Sequence, residues 1–179
     1  YKTTLNSVRN ASYPSLMLLF YDEKNMTVVD FQVIHYSFIT EKNILPRKPL
    51  SAEARRAGWQ GCFIDIEEVP AVARVFIVRD GVLSNSMGTK RQWSASNYAA
   101  PLSSESRGWL SDVLSVIDKL PDGFDLPDVY RFEGELKVLH PKNNNVRAKI
   151  RQQLQFIRDM GVIEFVDRGV YRKTALLKS

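Results

Sequence analysis

Apolar, β-branched and aromatic residues crowd positions 15–21 and 28–36, and the polar run Asp22-Glu23-Lys24-Asn25 parts them. Two such runs around a short polar turn predict a β-hairpin. A third strand is expected over 74–78, stopped by the turn pair Asp80-Gly81. Residues 1–10 read as the tail of a helix. From 84 to 101 the chain is polar, with Gly88, several serines and Pro101, and only Trp93 and Tyr98 as bulky apolar groups. That stretch predicts a linker or long loop, with a domain boundary near residue 102.

Beyond it the period becomes helical. Trp109, Leu110, Val113, Leu114, Ile117 and Leu120 recur at three- and four-residue spacing and mark one face of a first helix over 109–120. Phe124-Asp125-Leu126-Pro127-Asp128-Val129 is a dense start signal. Asp125 suits the N-cap and Asp128 the third helical position, with Phe124 and Val129 placed as a hydrophobic staple. The second helix is expected to run to about Leu139, burying Val129, Phe132, Leu136 and Leu139, until Pro141 and the asparagines 143–145 break it. A third helix spans 146–160 and ends at Gly161. Short strands over 162–166 and 170–173 flank the turn Asp167-Arg168-Gly169. Three helices followed by a hairpin make a winged helix-turn-helix over 103–179, preceded by a mixed unit over 1–102.

The third helix carries the chemistry. Its buried stripe is Val146, Ile150, Leu154 and Ile157, so Ala148, Arg151, Gln152 and Gln155 face outward. Arg147 and Arg158 lie along one flank and Lys149 along the other. In helix-turn-helix proteins this helix enters the major groove of duplex DNA. Ala148 permits close approach, Gln152 offers the donor–acceptor pair that suits adenine, and Arg151 the fork that suits guanine. Asn143, Asn144 and Asn145, in the turn that leads into the helix, join the DNA-facing set. Arg168, Arg172 and Lys173 on the wing are placed to reach phosphates.

Charge sorts by segment in the same sense. Residues 142–179 hold nine Lys/Arg against three Asp/Glu, whereas 103–141 hold four against eight. A protein-contact module with a merely solvated basic face is the rival reading of this half. Over the whole 179 residues the net charge of +5 points to an anionic partner without choosing among nucleic acid, membrane and acidic protein. The one cysteine, Cys62, excludes an internal disulfide and a cysteine-based zinc site, and is expected to be a small buried group. No signal peptide and no apolar run of spanning length is present, so a soluble cytoplasmic protein with no membrane partner is the default. The chain opens on Tyr1, and a native N-terminal portion is expected to precede it.

In the first half, Arg55-Arg56-Ala57-Gly58-Trp59-Gln60-Gly61-Cys62 puts a tryptophan between glycines on a basic loop. The glycines allow tight turns and close backbone approach, and Trp59 reads either as an apolar wedge or lid on DNA, or as a core tryptophan. His35 and His140 are isolated from any nucleophile and are assigned to neither catalysis nor metal binding; His35 reads as a strand histidine.

Several stretches carry a family resemblance: Pro46-Arg47-Lys48-Pro49-Leu50, Ala54 through Cys62, Ser106-Arg107-Gly108-Trp109, Tyr130-Arg131-Phe132-Glu133, and Lys149-Ile150-Arg151-Gln152-Gln153-Leu154-Gln155. From about Tyr1 to Lys173 the chain resembles the DpnI-like, Dam-replacing family of methyl-directed type II restriction endonucleases. The resemblance implies an α+β protein in which a PD-(D/E)xK nuclease-type domain, partial here, is followed by the winged helix. It implies that both parts contact GATC sites carrying N6-methyladenine and that cleavage of both strands depends on Mg2+; no small-molecule substrate is expected. It also places Trp59 against the adenine methyl groups, and Arg55 and Arg56, on the same basic loop, read as phosphate anchors.

The departure from the family is as informative. The catalytic carboxylates and lysine of the family, and its zinc cysteines, precede the position of Tyr1, so no catalytic or metal-binding residue and no cofactor are expected in this chain. Pro127-Asp128 with Glu135-Leu136-Lys137 matches the letters of the nuclease motif. It falls on helical positions, where the groups cannot converge on one metal ion from adjacent strands. A non-cleaving winged-helix regulator of transcription is the rival from another class.

Overall fold

The computed structural model describes residues 1–12 and 14–177. Helix α1 (Lys2–Arg9) leads into strands β1 (Leu16–Asp22) and β2 (Thr27–Ile34), which pair antiparallel from Leu16 opposite Ile34 to Asp22 opposite Thr27. The polar turn between them is built by Asp22, whose carboxylate accepts from the backbone N–H of Lys24 (2.9 Å) and the side-chain amide of Asn25 (2.7 Å). Beyond a small hairpin of β3 (Ile44–Pro46) and β4 (Cys62–Ile64) come β5 (Arg74–Arg79) and β6 (Val82–Leu83). The larger sheet runs β1-β2-β5-β6, every pairing antiparallel. Asp80 and Gly81 both take positive φ between β5 and β6, the geometry that matches the twist of a two-residue hairpin.

The polar stretch expected to be a linker is instead a helix, α2 (Ser86–Asn97). Asn85 caps it, accepting from the N–H of Met87 at 2.8 Å. Its apolar periodicity is weak because it buries Gln92, Ala95 and Ser96 rather than large side chains. Tertiary contact holds it: Ser96 Oγ donates to Val72 O at 3.2 Å, and Trp93 sets its edge against His35 at 4.9 Å. His35 lies just past β2, where it caps the single turn Tyr36–Phe38 by accepting from Ser37 N, rather than sitting within the strand.

Helix α3 (Ser104–Lys119) begins a turn and a half before the apolar stripe that announced it, because Ser103 caps it by accepting from Ser106 N at 3.2 Å. Strand β7 (Gly123–Asp125) follows, then α4 (Leu126–Tyr130), α5 (Glu133–Leu139), α6 (Val146–Asp159), β8 (Ile163–Asp167) and β9 (Val170–Lys173). The three strands form a second sheet in the order β7-β9-β8. The capping box is present as read: Asp125 accepts from Asp128 N at 2.9 Å and Asp128 accepts from Asp125 N at 3.0 Å. The backbone donation from Asp125 lowers the Asp128 pKa. Phe124 and Val129 are both buried.

The single second helix expected from the sequence is two. The chain turns at Arg131-Phe132, Gly134 weakens helix at the start of α5, and Leu139, expected inside, is 54% exposed. Val129 and Leu136 supply the buried face, with Phe132 packed beside it.

Core residues of the first half, such as Ile34, Phe38 and Val72, form one cluster with Trp109, Leu114, Ile150 and Leu154. Helix α3 is the shared wall. Buried Arg107 donates to Val8 O (3.0 Å), Arg9 O (3.4 Å) and Leu102 O (3.2 Å), placing a cation on the carbonyl end of α1. Asp112, also on α3, is paired with Lys42 and with His140, whose Nε2 lies 2.8 Å from Asp112 Oδ2 and whose ring stacks on Trp109 at 3.8 Å. His140, half-buried, thus joins a polar cluster with Asp112 and Lys42 that contains no nucleophile. Among the described residues no helix is long and apolar enough to cross a membrane.

Candidate nucleic-acid interface

Helix α6 is aimed by its own cap. Asn143 Oδ1 accepts from Asn145 N at 2.7 Å, and Asn145 Oδ1 accepts from Ala148 N at 3.4 Å, which fixes the turn from α5. Lys137 braces that turn, donating to Asn143 O (2.5 Å) and Asn144 Oδ1 (3.4 Å). The side-chain oxygens of Asn143 and Asn145 are therefore committed to the backbone, which leaves their amide N–H groups for any contact with DNA. Asn144 stays exposed.

Val146, Ile150, Gln153, Leu154 and Ile157 are buried along α6. Arg147, Arg151, Gln152, Gln155 and Arg158 are exposed, and Ala148 and Lys149 half-buried, so the outward face is the one the spacing placed there. Two arginines on it are held in place. Arg151 donates through Nη1 to Tyr130 Oη at 2.8 Å. Arg147 lies over the Tyr130 ring, 4.9 Å from its centroid, and donates through Nε to Glu133 at 2.7 Å. That hydrogen bond, and then the charge of Glu133, raise the Arg147 pKa further. Tyr130 and Glu133 were missed in the sequence. They sit far from Arg147 and Arg151 along the chain, and only the crossing of α4, α5 and α6 brings them together.

On the wing, Gly169 takes positive φ at the tip and its carbonyl accepts from Leu126 N at 2.9 Å, tying the wing to the start of α4. Arg168 is exposed beside it, and Arg172 is exposed on β9, 3.4 Å from its cross-strand neighbour Glu164. Lys173 differs. Its Nζ donates to Leu120 O (2.5 Å) and Asp118 O (3.2 Å), the free carbonyls at the end of α3, so it closes a helix terminus instead of reaching phosphates. The alternation along β9 turns Arg172 out and Lys173 in.

In the first half, the β3–β4 hairpin continues into the basic loop through Arg47 N to Gly61 O (3.0 Å) and Leu50 N to Trp59 O (2.9 Å). Arg55 and Arg56 are exposed at its tip, and Gly58 turns the chain back with φ of +75°. Trp59 is 54% exposed, which rules out the core reading. Its indole rests on Gly61: a Cβ there would meet Cη2 at 3.0 Å. Arg47 sits beside it and over the Phe63 ring at 5.0 Å, while Leu45 and Phe63 pair across the strands and are exposed. Apolar and cationic surface thus share one face of one hairpin. Cys62, expected to be buried, is half-buried, with Sγ 3.6 Å from Thr4 Oγ1.

No three His, Cys, Asp or Glu side chains among the described residues converge as metal ligands. Asp128 is a helix cap on α4, while Glu135 and Lys137 lie on α5, so the nuclease-like letters do not form a site that fits magnesium.

A helix-turn-helix with a three-stranded wing and a basic outward face defines a winged-helix DNA-binding protein. Residues 105–173 match the model of the Dam-replacing HTH domain, and residues 1–100 that of the Dam-replacing family. The chain belongs to the Dam-replacing family, and double-stranded DNA is its partner, in a role related to methyl-directed restriction.

Proposed function

We propose that this chain is the DNA-reading part of a methyl-directed restriction endonuclease that acts at GATC sites carrying N6-methyladenine. The observation that carries the reading is the outward face of α6, where Arg151, Gln152 and Gln155 stand exposed opposite a fully buried stripe. Arg151 and Gln152 would meet base edges, while Arg147, Arg168 and Arg172 would hold phosphates. The exposed indole of Trp59, on a loop with Arg55 and Arg56, supports a second contact. An N6-methyl group adds apolar surface to the major groove and no hydrogen-bond code, so an indole is a suitable reader. Cleavage of both strands would depend on Mg2+.

The test compares binding of the 179-residue chain to one duplex with and without N6-methylation at GATC, in the presence of Mg2+. The expected result is preference for the methylated duplex with no strand cut. Trp59→Ala should abolish the methyl preference, leave unmethylated binding unchanged, and leave the melting temperature within about 2 °C, since surface changes cost under about 0.5 kcal/mol. Equal loss on both duplexes would remove Trp59 from methyl readout. Specific cutting by a mass-verified preparation would overturn the assignment of catalysis to other residues.

A further inference from the structure

We propose that Tyr130 is a positioning residue that sets Arg151 in its reading conformation before DNA arrives, and that Glu133 tempers Arg147 against indiscriminate phosphate binding. The inference rests on the duplex-reading role of α6 given above. Tyr130 closes α4, a helix anchored by its capping box, and its half-buried ring packs against the core. Its hydroxyl is therefore a fixed point on the first helix of the helix-turn-helix, from which it holds a side chain on the second.

An arginine on a free helix surface samples many rotamers and loses that freedom on binding; one already restrained loses less. The Tyr130 hydroxyl occupies one N–H of Arg151 Nη1. Four of the five guanidinium N–H donors remain, enough for a two-pronged contact to a guanine edge. Arg147 is restrained differently, by the ring beneath it and by a carboxylate. Any phosphate approaching Arg147 competes with Glu133, so this cation contributes less to binding of arbitrary sequence than an unpaired one would. The two devices act on different terms: the Tyr130 hydroxyl favours base reading and so discrimination, whereas Glu133 lowers the phosphate term that every duplex shares.

Tyr130→Phe keeps the ring under Arg147 and removes only the hydroxyl. In the free chain, 15N relaxation at Arg151 Nε should show a restrained guanidinium in the wild type and a mobile one in Tyr130→Phe. The affinity ratio between a methylated GATC duplex and a scrambled duplex of equal length should fall about two- to tenfold, the effect of losing one such hydrogen bond. Melting temperature and salt dependence should not move. Glu133→Gln should strengthen binding to both duplexes and steepen the salt dependence by up to about one unit. Unchanged Arg151 relaxation in Tyr130→Phe, or an unchanged ratio, overturns the positioning role. Arg151→Ala separates the two levels. If it lowers the ratio and Tyr130→Phe does not, only the positioning inference falls. If it leaves the ratio unchanged, or the wild type shows no preference, the reading role of α6 falls and the inference with it.

Discussion

His35 is buried between the larger sheet and α2, where Nδ1 accepts from Ser37 Oγ at 2.8 Å and Ser37 N at 3.3 Å and Trp93 closes over the ring. Burial lowers its pKa. The folded protein therefore resists a proton that the unfolded chain takes up below about pH 6.5, the ordinary imidazole value. The sign follows from linkage: stability is intact above that pH and declines as pH falls through the window down to the lowered pKa. Urea denaturation at pH 7.5 and 5.5 should show the wild type losing more stability than His35→Gln. A parallel loss in both proteins would mean that His35 is not the group responsible. A small local geometry is legible at this level too. The tryptophan loop keeps its shape because Gly61 leaves room for the indole, and that glycine was visible in the sequence while the direction of Trp59 was not.

Adjacent residues on β9 should behave as opposites. Lys173→Ala removes the cation from the end of α3 and should cost about 1 kcal/mol in a denaturant titration, with affinity for DNA and its salt dependence unchanged. Arg172→Ala should leave stability within about 0.5 kcal/mol. It should weaken every duplex alike and flatten the salt dependence by about one unit. If Lys173→Ala instead behaved as Arg172→Ala on DNA, its inward orientation would be wrong. Which elements could be read from sequence follows from where their stabilising contacts lie. The capping box of Asp125 and Asp128 and the apolar stripe of α6 are local patterns, the first complete within one turn and the second within a single helix, and both are present. Strand β7 has only three residues and gains its identity from pairing with β9, with Phe124 opposite Tyr171 far along the chain. Helix α2 is stabilised by Val72 and His35 rather than by its own periodicity. The outward face of α6 was legible for the same reason as its stripe. Tyr130 and Glu133 were not, because nothing near them in sequence marks them as partners of Arg147 and Arg151.

At the level of the molecule, the region matched by each family model leans on the other through α3. Arg107 of α3 holds the last carbonyls of α1, Lys42 meets Asp112, and Tyr98 sets its ring against Phe156 of α6 at 5.0 Å. Arg107→Met should lower stability by about 1.5–3 kcal/mol, since it strips a charged donor from buried carbonyls. Calorimetry should show a single transition in the wild type and a lower or divided one in the variant. An unchanged melting profile would show that the two parts fold without this tie.

The shared wall of α3 also bears on how DNA is searched. A flexible tether between two readers tolerates any spacing that it can span, but a stiff mount fixes the angle between them. For a duplex that meets both α6 and the Trp59 loop, that angle becomes a helical phase. Moving the two contacted sequences apart by about 5 base pairs would turn one to the far side of the duplex, and about 10 would bring it back. Affinity should then oscillate with spacing at the pitch of DNA. Where the mount forbids one duplex from reaching both surfaces, the same stiffness makes the protein a bridge that holds two duplexes at a set angle.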